Sequence, residues 1–86
     1  MPPVPLAQNT TLPLQALGWV YADLGKLGEA EVAFRRAVEV REAGKNQLDL
    51  AEALRGLGSV LRKRQKYEEA DLLFQRSLEM RKKLSR

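Results

Sequence analysis

Cysteine and histidine are absent from this 86-residue sequence, and aromatic side chains are scarce. Without thiols or imidazoles, the chain has no disulfide, no cysteine nucleophile, no thiolate or imidazole metal ligand and no histidine general base. We therefore expect a protein that is not an enzyme and has no catalytic residues, no metal and no cofactor. The sequence also has no long apolar run and no signal peptide pattern, which favours a soluble, cytoplasmic protein without a membrane span.

Positive charge is concentrated in the second half of the sequence. Residues 1–43 carry four basic and five acidic side chains, whereas residues 44–86 carry eleven and six. Acidic residues are interleaved with the basic ones, which is typical of a solvated helical face, and no aromatic stacking platform accompanies them. A nucleic-acid-binding role is therefore disfavoured, although it stays open as a minor alternative.

One sequence unit occurs twice, 40 residues apart. When residues 14–41 are aligned with residues 54–81, eleven of the 28 positions are identical. Self-similarity at a fixed period indicates a tandem duplication of one supersecondary unit. We assign repeat one to about residues 11–46 and repeat two to about 47–86, after a flexible, proline-rich leader over residues 1–10.

Apolar side chains recur at helical spacing in both units. This periodicity predicts four helices, near residues 12–24, 27–43, 47–64 and 67–84. Gly44 is expected to end the second of them. The predicted fold class is all-α, with two tandem helix-turn-helix repeats forming four antiparallel helices, a fragment of an α-solenoid.

Glycines interrupt the helical pattern and have different roles in the two copies. Gly25 and Gly28 are replaced in the second copy, which argues against a phosphate-binding loop and leaves Gly25 as a helix-ending residue. Gly18 recurs in mid-helix, where a missing side chain lets a second helix approach, and the small residue on that helix is expected to be alanine. The predicted repeat-packing residues form three equivalent pairs: Gly18 and Gly58, Ala30 and Ala70, Phe34 and Phe74.

These positions resemble the tetratricopeptide repeat, whose pattern has a large apolar residue, Leu-Gly, an aromatic residue and later Ala, Phe and Ala. The matching residues are Leu14, Leu17, Gly18, Tyr21, Ala30, Phe34 and Ala37 in unit one, and Leu54, Leu57, Gly58, Leu61, Ala70, Phe74 and Ser77 in unit two. The period of 40 is longer than the usual 34 and resembles that of kinesin light chains. Because Leu61 and Ser77 depart from the pattern, unit two is expected to pack less tightly.

The resemblance implies a protein-interaction module or scaffold that binds a peptide or protein on the concave side of stacked helix pairs. The first helices line that side, and their residues outside the Leu-Gly stripe include Ala22, Glu52 and seven predicted partner-binding residues. These seven are Gln15, Trp19, Asp23, Arg55, Ser59, Arg62 and Lys63. Trp19 fits a binding anchor and equally a partly buried core residue, and the basic residues are either solvated or receive an acidic partner. The carboxylate clamp of chaperone-binding members is not supported, because Gln15 and Trp19 occupy its first positions.

The last helix is predicted to expose a second apolar stripe that no following repeat covers. The self-association residues in this stripe are Leu73, Met80 and Leu84. Burial of such side chains favours association, so we expect a homo-oligomer, a two-fold dimer through the fourth helix. A structural role, in which the repeats serve mainly to form an oligomer, is the alternative to partner binding.

Overall fold

The computed structural model describes residues 14–44 and 47–84. Four α-helices follow one another: α1 (Leu14–Asp23), α2 (Leu27–Ala43), α3 (Gln47–Lys63) and α4 (Tyr67–Leu84). α1 packs on α2 and α3 packs on α4, while α3 also contacts both helices of the first unit. The predicted all-α fold of two helix-turn-helix units is confirmed. The expected leader, residues 1–10, lies outside the described residues.

The same backbone turn ends α1 and α3. Lys26 donates its backbone N–H to the carbonyl oxygen of Tyr21, and Lys66 donates to that of Leu61, each at 2.8 Å. In both turns the preceding residue adopts a left-handed conformation, with φ of 79° at Gly25 and 66° at Gln65. The second unit therefore keeps the left-handed residue of a Schellman turn although it has lost the glycine that favours it.

The end of α2 is of a different kind. Gly44 caps this helix as predicted, but in an extended conformation, and its backbone N–H donates to the carbonyl oxygen of Arg41 at 3.1 Å. No left-handed residue is needed there, so glycine at this position does not relieve strain.

Phe34 is the centre of the hydrophobic core and is fully buried. A Cβ atom added to Gly18 would lie 2.7 Å from the Phe34 ring, and one added to Gly56 would overlap the same ring. The neighbour of Gly18 is thus this aromatic ring and not Ala30, as we expected from the sequence. The Phe34 ring fits between α1 and α3 because each helix has a glycine, Gly18 or Gly56, where it meets the ring.

The α4 helix presents a different face to the core from the one predicted. Leu73 and Met80, expected to be uncovered, pack against the core cluster, and Ser77 between them is buried. The Ser77 hydroxyl donates a hydrogen bond to the carbonyl oxygen of Ala51 at 2.9 Å. Because α4 packs against α3 through this serine and forms ion pairs with α2, the face it turns inward includes two of the three predicted self-association residues, Leu73 and Met80. Of the predicted stripe, only Leu84 is exposed.

Candidate partner-binding surface

The first helices of the two units carry the predicted binding residues at equivalent positions. Residues 15, 19 and 23 of α1 correspond to residues 55, 59 and 63 of α3, since the repeat length is 40. Five of the seven predicted side chains are exposed, and two, Gln15 and Ser59, are half-buried. We refer to the exposed side of α1 and α3 that carries these residues as the first-helix surface.

Trp19 is held by the core at one side of its ring and remains 38% exposed. Its ring meets Phe34 edge-on, with the centroids 5.1 Å apart and the ring planes at 79°. This T-shaped contact is a favourable aromatic geometry. Trp19 therefore extends the core and still offers ring surface to solvent, and its role as a binding anchor stays a prediction.

Gln15 links α1 to both α2 and α3. Its amide Nε2 donates to the carbonyl oxygen of Asp49 at 3.2 Å, and Arg41 donates from Nε to its Oε1 at 3.2 Å. Both ends of the amide are therefore engaged within the chain. The sequence pattern could not indicate these contacts, because the partners lie 34 and 26 residues away.

Arg62 and Lys63 end α3 as two exposed cations without an ion pair in the described part of the chain. Together with Ser59 and Tyr67 they line a surface depression where α3 turns into α4. Arg55, one turn earlier than Ser59, is 3.7 Å from Glu52 and is also exposed.

Tyr67 is the residue of this depression that the sequence analysis did not identify. By helical spacing Tyr67 falls in line with Ala70 and Phe74, which predicts a packed position, yet the structure leaves it 55% exposed. The available signal was its change from Leu27 in unit one, which places a hydroxyl group where the first unit has none.

Glu31 of α2 is only 7% exposed. Its carboxylate oxygens lie 2.9 Å from Arg35, 2.8 Å from Arg64 and 3.3 Å from Lys66, and we call these four residues the Glu31 cluster. Burial by itself raises the pKa of this carboxyl, but hydrogen bonds and positive charge from Arg35 and Lys66 outweigh burial and hold the pKa below its ordinary value. The cluster joins the two units, since two of its cations belong to the second.

Two other ion pairs cross between the second helices of the units. Arg35 lies 3.0 Å from Glu69, and Glu42 lies 2.9 Å from Arg76. Three cations of the basic second half, two in the Glu31 cluster and Arg76, thus face acids of the first unit. Part of the charge asymmetry consequently has a structural role, which weakens the nucleic-acid interpretation.

Comparison with known protein families found a match to the tetratricopeptide repeat over residues 10–83. A search of curated proteins and a search of solved structures found no significant match. The likeness to kinesin light chains remains an expectation. Within the described residues, no helix combines the length and apolar character needed to cross a bilayer. The family match covers most of the chain, and the paired helices agree with it, so the protein belongs to the tetratricopeptide repeat family, a non-catalytic fold that generally mediates protein–protein interaction.

Proposed function

We propose that this protein binds an acidic peptide segment of a partner protein along the first-helix surface. The observation that carries the proposal is the pair Arg62 and Lys63, which are exposed, adjacent and without an ion pair in the described residues. In stacked helix pairs the first helices line the concave side, where a peptide has access to both units.

The chemistry of the surface favours an acidic ligand with an apolar group. Arg55, Arg62 and Lys63 outnumber the two acidic residues on the same side of the first helices, Asp23 and Glu52, although Glu52 lies 3.7 Å from Arg55. Arginine offers a carboxylate a two-pronged set of donors, and lysine adds a compact charge. The exposed part of Trp19 supplies the kind of aromatic surface that anchors many protein interfaces.

Selection from a random peptide display library on the full 86-residue chain tests the proposal. We expect enrichment of acidic peptides, and we expect synthetic copies of them to change the emission of Trp19. Replacing Arg62→Glu together with Lys63→Glu should weaken binding by about tenfold or more, because carboxylates would then face carboxylates. Fluorescence anisotropy of labelled peptides measures both effects.

The matched control carries the same change of charge elsewhere. Arg36→Glu with Lys83→Glu alters two exposed cations on α2 and α4, outside the first-helix surface. This variant should retain peptide binding within about twofold, apart from long-range screening effects. Equal losses in both variants would show a non-specific charge effect, and selected peptides insensitive to Arg62 and Lys63 would place the binding site elsewhere.

A further inference from the structure

One side of α4 carries apolar residues that nothing in the described chain covers. Residues 67, 71, 74, 78 and 82 fall on this side at helical spacing, and we call it the α4 outer face. Tyr67 and Leu78 are each 55% exposed, and Phe74 is half-buried. Its charged members are Asp71 and Lys82, both exposed and without an ion pair in the described residues.

The first unit shows what this face is suited to contact. Glu31, Phe34 and Val38 of α2 correspond to residues 71, 74 and 78, and all three are buried. A Cβ on Gly56 of α3 would overlap the Phe34 ring, so α3 is the helix that covers this side of α2. The side of α2 that is equivalent to the α4 outer face is thus covered by a helix.

Packing disfavours a second copy covering this face in the way α3 covers α2. In that head-to-tail arrangement, α1 of the second copy would lie on α4, with Ala16 where Gly56 stands at the internal junction. The Cβ of Ala16 would then overlap the ring of Phe74, as a Cβ at Gly56 would overlap Phe34.

Charge also opposes the head-to-tail arrangement. Asp71 would meet Leu24 where Glu31 meets Arg64, so this carboxylate would face Lys26 but no arginine from the second copy. Lys82 and Arg36 would face each other at the positions of the Glu42–Arg76 ion pair. Like charges in an interface disfavour that partner.

The charge distribution along α4 favours a second copy of α4 in antiparallel orientation as the partner. The first turn of α4 contains Glu68 and Glu69, and its last turn contains Arg81, Lys82 and Lys83. Glu69 and Arg81 already form ion pairs with Arg35 and Glu52, so Glu68, Lys82 and Lys83 are the charges offered to a partner. Two copies of α4 in antiparallel orientation bring the acidic end of each helix to the basic end of the other. Complementary charge of this kind favours association and fixes the register.

We propose that two copies of this chain associate through the α4 outer face, with their α4 helices antiparallel about a two-fold axis. The axis passes between Phe74 and Leu78, so Phe74 of one copy lies opposite Leu78 of the other. The same register brings Asp71 to within one residue of Lys82 of the second copy, twice by symmetry. The interface differs from the stripe expected from the sequence, because Leu73 and Met80 pack inward.

Sedimentation equilibrium of the full chain, up to high micromolar concentration, tests the proposal. We expect a dimer that Leu78→Glu dissociates, with far-UV circular dichroism verifying that this exposed substitution leaves the helices intact. Asp71→Lys and Lys82→Asp should each weaken the dimer about tenfold or more, because each puts like charges opposite one another across the axis. The double charge swap should restore association.

The controls separate this dimer from other assemblies. Glu79→Lys reverses an exposed charge outside the α4 outer face and should not change the dimer. Val20→Glu with Leu24→Glu alters the exposed side of α1 and should also leave it intact. A monomeric wild-type chain, a dimer unaffected by Leu78→Glu, a double swap that fails to restore it, or a dimer broken by the α1 variant would each overturn the proposal.

Discussion

At the residue scale, Phe34 is the side chain on which the two units meet. Gly18 of its own unit lies on one side of the ring and Gly56 of the next unit on another. Phe74, its equivalent, contacts Gly58 but has no following unit in the described residues and is only half-buried. The same residue type therefore has very different surroundings in two copies of one sequence pattern.

Gly56→Ala should destabilise the protein by about 1–3 kcal/mol through overpacking against Phe34. This loss exceeds the gain of about 1 kcal/mol that alanine brings to a helix interior. The matched substitution Gly58→Ala should change stability by less than about 1 kcal/mol, because the nearest atom of Phe74 is 3.2 Å from the added Cβ and this ring can shift. Urea denaturation of the three proteins measures the difference, and equal losses would contradict this account.

The sequence predicts a packing role for Gly18 but not for Gly56, and the difference has a structural reason. Comparison of the two copies detects residues that each unit needs, and Gly18 recurs as Gly58. Gly56 corresponds to Ala16, so comparison of the two copies does not single it out. Gly56 packs against Phe34 of the other unit, and a residue with such a contact between units need not recur in both copies. Glu31 was missed in the same way, since two of its three partners, Arg64 and Lys66, belong to the other unit.

At the scale of single elements, the helix ends depend on backbone conformation more than on residue type. α1 and α3 end in the same turn although one has Gly25 and the other Gln65. A left-handed conformation costs a residue with a side chain roughly 1–2 kcal/mol, whereas glycine adopts it without steric cost. The turn after α3 is therefore strained where the turn after α1 is not.

Gln65→Gly should raise the free energy of unfolding by about 0.5–1 kcal/mol. The relief of left-handed strain exceeds the extra backbone entropy that glycine has in the unfolded chain. The reciprocal change, Gly25→Gln, should lower stability by a similar amount, because it introduces into unit one the strain now present in unit two. Thermal denaturation of both variants measures the two shifts, and a lower melting temperature for Gln65→Gly would refute the explanation.

Helix positions followed from the apolar period, but the buried face of α4 did not. The period predicted four helices that match the observed bounds to within one residue wherever the structure describes the end. On α4, two neighbouring faces carry apolar residues, and the centre of the buried one includes the polar Ser77. Its partner is a backbone carbonyl of α3, which no side-chain pattern encodes.

At the scale of the whole molecule, ion pairs hold the two units together beside the apolar core. The Glu31 cluster and the pairs Arg35–Glu69 and Glu42–Arg76 all join unit one to unit two. Glu31 is the most buried of these carboxylates, whereas its cations are partly exposed. Loss of its negative charge should therefore weaken the junction between the units.

The pH dependence of stability follows from the lowered pKa of Glu31. A carboxyl whose pKa is lower in the folded than in the unfolded chain stabilises the fold above its ordinary value of 4.5. That contribution is lost as the pH falls through the folded pKa. Glu31→Gln should cost about 2 kcal/mol at pH 7, since it leaves three cations without their shared carboxylate.

The difference in stability between wild type and Glu31→Gln should shrink as the pH falls below 4.5. Urea denaturation at several pH values between neutrality and acid measures it. Glu39→Gln, which alters an exposed carboxylate of the same helix, should follow the wild type at every pH. A difference that stayed constant into acid would mean that Glu31 acts through packing, because only a contribution from its charge disappears when the carboxylate is protonated.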